Sequence, residues 1–304
     1  MNVFVTGANG YLGCELITWL INETSNYIYA LDKNWDNSKI ISSDKIKRIK
    51  LSLDKLKTEQ VFDEKQKIDL IIHLAAKISI DSLSPRQAFE LMESNCLNLI
   101  RLLDWAKEQK ITKIVFVSSM TVYAQSAKDR SCDEKCLKAP SSFYGLSKMF
   151  GEQIIDLYVR QTKMRAIVLR LPGLFGGNRK SGLIYNLAKQ IRDKETVRLD
   201  LKGLKQWETI HVSDAAKTIG EIARINKFAR SFNVFNVGYE DHQVEIRPII
   251  KLMQKYYKSS QKIVIKNEGD YMPFTMKTNE IKRYLPDYSL DFRKSLFRYL
   301  GEIS

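Results

Sequence analysis

The first thirty-two residues constrain the fold more tightly than any other stretch of this chain. Met1–Val5 is a short apolar run, and Thr6-Gly7-Ala8-Asn9-Gly10-Tyr11-Leu12-Gly13 follows it directly. Leu16, Ile17 and Leu20 continue at helical spacing, and a second apolar run, Tyr27–Leu31, ends in Asp32. Strand, glycine turn, helix, strand and acid is the order of a βαβ unit that holds a dinucleotide. The glycines let backbone amides approach a pyrophosphate, the helix turns its positive end toward the phosphates, and the acid accepts hydrogen bonds from a ribose. The spacing is G-x-x-G-x-x-G rather than G-x-G-x-x-G, and a plain tight turn is the alternative. The strand before the turn, the helix after it and the acid at Asp32 favour a dinucleotide.

The same alternation continues for half the chain. Arg48–Leu53 reads as a third strand, Thr58–Glu64 as part of a short helix, and Leu70–Ala76 as a buried strand. Phe89, Met92, Cys96, Leu99, Leu103 and Ala106 give helical spacing to Arg86–Glu108. Ile114–Ser119 is a fifth strand, Phe143–Arg160 a helix and Arg165–Leu171 a sixth strand, while Lys33–Lys47 reads as loop and weak helix. The predicted fold class is α/β, a doubly wound parallel Rossmann sheet with a smaller, mixed C-terminal substrate lobe. Residues 1–172, with a returning segment near 205–238, form the dinucleotide domain. Residues 173–204 and 239–304 form the substrate lobe, where Gly173, Gly176, Gly177 and Gly182 open a loop-rich passage and Leu183–Lys194 reads as a helix. Ligands of such sheets bind at the carboxyl ends of the strands, where Ala75, Ser118 and Ser119 fall.

Composition excludes several classes. The 304 residues carry 49 Lys and Arg against 35 acids, a net charge of +14, yet the basic residues are scattered without a run or an aromatic stacking signature. That argues for a lysine-rich surface suited to a phosphorylated small substrate and against nucleic acid. Cys132 and Cys136 have no second pair or nearby histidine to complete a metal site, so no metal is expected and the four cysteines read as free thiols of a reducing cytoplasm. No apolar run approaches the 18 residues of a membrane span.

Tyr144-Gly145-Leu146-Ser147-Lys148 puts a tyrosine and a lysine on one face of a helix. A lysine ammonium beside a phenol favours the phenolate and lowers its pKa from about 10, so that it can exchange a proton with a substrate hydroxyl. Ser119, at a strand end, can hydrogen-bond the same oxygen. His73 and His211 read as strand residues with no chemistry, and Asp214 as a helix N-cap.

The ordered set TGANGYLG at 6–13, Asp32, HLAA at 73–76, Asn95, VSSMTVY at 117–123, YGLSK at 144–148, LRLPGLFGG at 170–177 and IHVSDAA at 210–216 resembles the extended short-chain dehydrogenase/reductase superfamily, in its NAD-dependent epimerase/dehydratase branch. The resemblance implies that Tyr144 is the acid/base, that Lys148 binds the nicotinamide ribose and tunes Tyr144, and that Ser119 orients the substrate oxygen. It implies NAD, with NADP as the alternative. Gly7, Gly10 and Gly13 would meet the pyrophosphate and Asp32 the adenosine ribose, with Asn9, Tyr11, Leu12, Asn37 and Ser38 also binding the cofactor. Ser52, Leu53, Leu74, Ala75, Ala76, Asn95, Val117 and Leu171 would complete the cofactor site. The implied substrate is a nucleotide sugar, met by Lys77, Ser119, Met120, Thr121, Gly173, Asn178, Arg179 and Trp207. The implied reactions are epimerisation or, alternatively, keto-sugar reduction, in a cytoplasmic homodimer; a catalytically silent dinucleotide sensor is the reading from another class.

Three departures qualify the resemblance. Leu51-Ser52-Leu53 lacks the acid often found after the third strand. Met120-Thr121 stands where 4,6-dehydratases carry Asp-Glu, which argues against water elimination. Gly173 and Trp207 stand where nucleotide-sugar enzymes commonly carry an Asn and an Arg. Trp207 either stacks on a base or packs in the core, and Asn178, Arg179 and Lys180 either restore the lost charge or form a solvated loop.

Overall fold

The structure, a computed structural model, describes residues 1–23, 27–36, 38, 40, 42–56, 67–79, 84–123, 131–201, 205–239, 245–267 and 272–303; the side chains of 205–207 and 272–273 lie outside that description. In chain order the elements are β1 (Asn2–Thr6), α1 (Tyr11–Glu23), β2 (Tyr27–Asp32), β3 (Ile46–Lys50), β4 (Leu70–His73), α2 (Pro85–Met92), a π turn (Glu93–Leu97), α3 (Asn98–Glu108), β5 (Lys113–Ser119), β6 (Ser131–Cys132), α4 (Phe143–Gln161) and β7 (Arg165–Leu171). They continue with β8 (Gly173–Phe175), α5 (Leu183–Arg192), β9 (Val197–Asp200), β10 (Lys205–Trp207), β11 (Thr209–His211), α6 (Val212–Arg224), β12 (Phe232–Asn236), α7 (Ile246–Tyr256), β13 (Ile263–Lys266), β14 (Met272–Pro273), β15 (Thr275–Met276), α8 (Asn279–Lys282) and α9 (Phe292–Glu302).

Seven strands form one sheet in the order β12-β7-β5-β4-β1-β2-β3. The alternating βα pattern dictates this: parallel neighbours need crossover helices, and those helices cover the sheet faces. β1 runs parallel to β2 on one side, Val5 opposite Ala30, and to β4 on the other, Val5 opposite Ile72. The order reverses between β1 and β4, which is where doubly wound sheets bind ligands. Phe4, Tyr29, Ile71, Ile114 and Phe116 pack with Leu99, Leu102, Leu103 and Trp105 of α3 and Ile155 and Val159 of α4 in one core. α1 buries Leu16, Ile17 and Leu20, and Gly220 of α6 sits against Trp19, where an added Cβ would come within 2.0 Å of the indole.

The chain divides into two compact units. The first is Met1–Ala124, Leu137–Arg170 and Ala216–Phe235; the second is Gln125–Cys136, Leu171–Ala215 and Asn236–Ser304. The second unit holds four short strand pairs, β10-β14, β11-β8, β13-β9 and β15-β6, with α5, α7 and α9.

Several sequence expectations shift. β3 covers Ile46–Lys50, because Asp32 pairs with Lys50 and the chain then turns, so Ser52 and Leu53 belong to a short 3-10 turn rather than to a strand. The fourth strand ends at His73, leaving Leu74–Ala76 as an exit loop. The long helix expected over Arg86–Glu108 begins at Pro85, capped by Ser84 and Gln87, and is broken by the π turn that carries Asn95. The residues described between Lys33 and Lys45 contain no helix. Thr58–Glu64 and Asn37 lie outside the described residues. None of the four cysteines is in a disulfide. Among the described residues no helix is long and apolar enough to cross a membrane, and no cluster of His, Cys, Asp and Glu could hold a metal.

Candidate active site

The glycine turn is built by close approach. Gly7 has φ +70, and a Cβ there would lie 2.7 Å from the backbone nitrogen of Ala75. A Cβ on Gly13 would lie 2.3 Å from the Gly7 carbonyl oxygen, so β1, α1 and the exit of β4 meet through bare backbone. α1 starts at Tyr11, directly after the glycine turn, so the positive end of the helix lies at that turn. Asp32 caps β2: Oδ2 accepts from the Asn9 backbone N–H at 3.0 Å and Oδ1 from that of Asn34 at 3.1 Å. The Asn9 amide donates to the Asn34 carbonyl at 2.9 Å, while its own Oδ1 is buried with no hydrogen-bond partner among the described residues. A backbone cradle beside an anion-seeking helix end, a carboxylate at the second strand tip and an orphaned carbonyl between them fit a dinucleotide.

His73 is a satisfied core residue. Its Nδ1 lies 2.7 Å from the Thr6 hydroxyl, its ring stacks on Phe116, and burial drops its pKa to about 3, keeping it neutral. Asn95 is 4% exposed and fully used: Oδ1 accepts from Lys77 N at 2.7 Å, and Nδ2 donates to Lys77 O and Ser147 Oγ, both at 2.9 Å. It braces α4 against the exit of β4. The Lys77 ammonium pairs at the surface with Glu90 at 2.8 Å. Ser52 hydrogen-bonds Asp54, and Ser38 accepts from Ile40 N.

β5 delivers Ser119 and α4 delivers Tyr144 and Lys148, all within the first unit. Ser142 caps α4 by accepting from Gly145 N at 3.1 Å. Gly145 is required here: an added Cβ would lie 2.3 Å from the Thr121 carbonyl, so the turn after Ser119 rests on the first turn of α4. Ser119 Oγ accepts from the Thr121 backbone N–H at 3.2 Å and lies 3.0 Å from the Thr121 hydroxyl. Lys148 is 3% exposed; its Nζ donates to Val117 O at 2.8 Å and stands 4.9 Å from the Phe116 ring centroid and 5.9 Å from that of Tyr144.

The expected drop in the Tyr144 pKa is not found. Desolvation pushes the phenol up to about 12, and the nearby Ser119 side chain recovers only part of that; Lys148, turned toward the Val117 carbonyl, adds no counterweight. Desolvation also lowers the Lys148 ammonium to about 8. The physical reason is that both groups are buried, and burial penalises whichever form is charged.

Sequence reasoning missed the group behind this site. Glu152, one turn beyond Lys148, takes Arg170 Nε on Oε1 at 2.9 Å, Arg170 Nη2 on Oε2 at 2.7 Å and the Ser118 hydroxyl on Oε1 at 2.7 Å. Arg170 also donates to the Tyr123 hydroxyl at 2.8 Å. Its only trace in the sequence is an acid four residues after Lys148 on the same helix face.

The remaining candidates belong to the second unit. Leu171 is buried; Gly173 is exposed, and its N–H donates to Glu208 O at 3.0 Å as β8 pairs with β11. Asn178 is exposed, and Arg179 donates to Leu174 O at 3.0 Å and Ser181 Oγ at 3.3 Å. Trp207 lies in β10, its side chain outside the described residues. Asp214 is not an N-cap. It is the third residue of α6, and its carboxylate accepts from Tyr239, Ser295 and Arg298.

Comparison with known proteins supports the fold and gives the family. Residues 3–238 match the NAD dependent epimerase/dehydratase family. The chain is 26% identical over 255 residues to a dTDP-D-glucose 4,6-dehydratase of Dictyostelium discoideum, covering 78% of this chain and 58% of that protein's length. It is 25% identical over 300 residues to a UDP-glucose 4-epimerase of Pisum sativum, covering 87% of this chain and 83% of the relative. Its fold is similar to that of a UDP-glucuronic acid 4-epimerase from Bacillus cereus solved with UDP-glucuronic acid and NAD, at a TM-score of 0.82, 18% identity and full coverage of both chains. The chain belongs to the NAD-dependent epimerase/dehydratase family.

Proposed function

We propose that this protein is an NAD-dependent epimerase of a nucleotide sugar, with Ser119, Tyr144 and Lys148 as its proton-handling set. The reading is carried by one observation: the buried Lys148 ammonium stands 5.9 Å from the Tyr144 ring, one helical turn along α4, in the unit that also holds Ser119, the glycine turn and Asp32. NAD, when bound, supplies a positively charged hydride acceptor at C4 of its nicotinamide. Tyr144 takes the hydroxyl proton of a sugar carbinol as the carbon gives up hydride, and returns that proton when hydride comes back to the other face of the ketone. With a pKa near 12 the phenol stands protonated at neutral pH and is ready to act as the acid; acting as base requires nearby positive charge, which the nicotinamide would supply when bound, with Lys148 holding its ribose. Asp32 favours NAD over NADP, since a carboxylate repels a 2′-phosphate. Asn178 and Arg179 would meet substrate phosphates.

Dehydratases are among the relatives, but Met120 and Thr121 offer no carboxyl to drive water elimination. A keto-sugar reductase would use the same three residues. Retained cofactor separates the two: an epimerase purifies with NAD and interconverts sugars without net NADH consumption. The test is to identify the nucleotide released on denaturation, then incubate the protein with UDP- and dTDP-linked sugars and resolve the products. Epimer formation without added cofactor supports the reading; stoichiometric NAD(P)H consumption, or a 4-keto-6-deoxy product, overturns it.

A cytoplasmic homodimer is part of the proposal. Phe89 of α2, Leu97 of the π turn and Phe150 and Leu157 of α4 are large apolar side chains exposed on neighbouring helices, the kind of surface a second copy would cover. Sedimentation of the wild type and of Leu157→Glu checks it: a dimer and a monomer are expected, and a monomeric wild type would refute it.

A further inference from the structure

The loop that carries Asn178 and Arg179 is anchored from a helix more than a hundred residues away in the chain. Gly176 and Gly177 both have positive φ, 97 and 52, so the chain turns sharply as it leaves β8. Within the loop, Arg179 N donates to Gly176 O at 3.3 Å, and the Arg179 guanidinium turns back to Leu174 O and Ser181 Oγ. Two further backbone anchors come from the last turn of α9. Glu302 Oε2 accepts from Gly177 N at 3.2 Å, and the Tyr299 hydroxyl donates to Arg179 O at 3.0 Å. Spaced i, i+3, the two side chains share a helix face, and their contacts bracket the exposed Asn178. Beneath the loop, an added Cβ on Gly176 would lie 2.1 Å from His211 Nε2, and the Phe175 and Tyr299 rings stand 5.2 and 6.2 Å from that imidazole. All of these residues belong to the second unit.

Glu302 is badly placed for its own helix. A carboxylate in the last turn faces the negative end of the helix dipole. What it gains there is the Gly177 N–H. We propose that Tyr299 and Glu302 are positioning residues: from the last turn of α9 they set the Gly176–Arg179 turn in the shape that receives the phosphates of a nucleoside diphosphate. The inference rests on the reading of Asn178 and Arg179 as phosphate contacts. A loop ordered before binding spends less of the interaction energy on being ordered. Loosening it weakens the ligand and leaves the proton transfer at Tyr144 alone.

Amide hydrogen exchange of the purified protein gives a readout that needs no ligand. Tyr299→Phe and Glu302→Ala should each speed exchange at residues 177–179 about five- to tenfold, the worth of one hydrogen bond. By calorimetric titration, UDP and dTDP should bind each variant weaker by about the same factor. With an active nucleotide sugar, KM should rise likewise at unchanged kcat. Glu302→Gln keeps an acceptor for Gly177 and should behave as wild type. Tyr257→Phe removes a hydrogen bond to Leu300 O in the same turn of α9 and should also change neither readout. Tyr299→Phe and Glu302→Ala each stand alone should the other fail to fold, as judged by circular dichroism. Unmoved exchange in both variants overturns the inference. So does unmoved affinity where the wild type binds UDP or dTDP, a lowered kcat at unchanged KM, or equal weakening in Tyr257→Phe, which would make the general stability of α9 the cause. A wild type that binds neither nucleotide removes the phosphate reading of the loop and the proposed function with it; faster exchange in its variants would then leave only the hold of α9 on the loop.

Discussion

Two cations are buried within one helical turn and one strand of each other, and the protein treats them differently. Arg170 is 1% exposed and answered by Glu152 through two hydrogen bonds and by the Tyr123 hydroxyl through a third. Lys148 is 3% exposed and has the Val117 carbonyl and the face of the Phe116 ring. Glu152, the carboxylate that acts on Lys148, is held by the arginine. Arg170 therefore ties β7, α4 and, through Ser118, β5 into one rigid block. Lys148 keeps unspent proton donors and a pKa lowered to about 8. A cation that is matched in the interior serves the fold; the proposed function gives the one left under-matched beside a phenol a part in the chemistry.

The comparison breaks most visibly at the matched cation. Arg170→Ala strands the Glu152 carboxylate in the core and should cost about 3–5 kcal/mol in urea denaturation. A cost below about 1 kcal/mol would mean the block is not held by this pair. At the under-matched cation the sign reverses. The Lys148 pKa falls from 10.5 in the unfolded chain to about 8 in the fold, so the native state is disfavoured by the charged form. That penalty is complete below pH 8 and fades as pH rises from 8 toward 10.5, where the unfolded lysine also loses its proton. Lys148→Met should therefore stabilise the protein at pH 7 by on the order of 1–3 kcal/mol, less whatever the unpaired Val117 carbonyl costs. The gain should shrink between pH 8 and 10 while turnover is lost at every pH. Thermal melts across that range check it, and a destabilised Lys148→Met at pH 7 would place Lys148 with Arg170 as a structural cation.

The smallest effect concerns lysines on the surface. Lys110, Lys194 and Lys258 follow α3, α5 and α7 with φ of 55, 56 and 48, the left-handed conformation that glycine ordinarily supplies at helix ends. Lys110→Gly should stabilise by about 0.5–1 kcal/mol, seen as a small rise in Tm. No change would mean that the lysine's attraction to the helix C-terminus offsets its backbone strain.

The sequence made most of the first unit readable because burial on both faces forces continuous apolar strands, and because the turn between β1 and α1 must be glycine for reasons of contact. β3 was displaced by a few residues because an edge strand alternates weakly, and its half-buried Ile46 and Ile49 resemble loop residues. The placing of Lys148 beside Tyr144 was readable, but their ionisation was not: spacing puts a lysine beside a tyrosine, while the direction of the pKa shift depends on what buries them. The Glu152–Arg170 pair joins a helix to a strand 18 positions on in the chain, and no periodicity reports a partner of that kind. Asp214 looked like a cap from its place before two alanines, yet three donors from Tyr239, Ser295 and Arg298 hold it inside α6.

The central claim is that Tyr144 moves a proton while a bound nicotinamide takes and returns hydride. The most direct measurement is stopped-flow absorbance at 340 nm on mixing the purified protein with a nucleotide sugar that it epimerises. The wild type should show a transient of reduced nicotinamide that rises and decays with no net change. Tyr144→Phe should retain its nucleotide and show no transient. A transient of wild-type size in Tyr144→Phe, or epimerisation by that variant at the wild-type rate, would contradict the account.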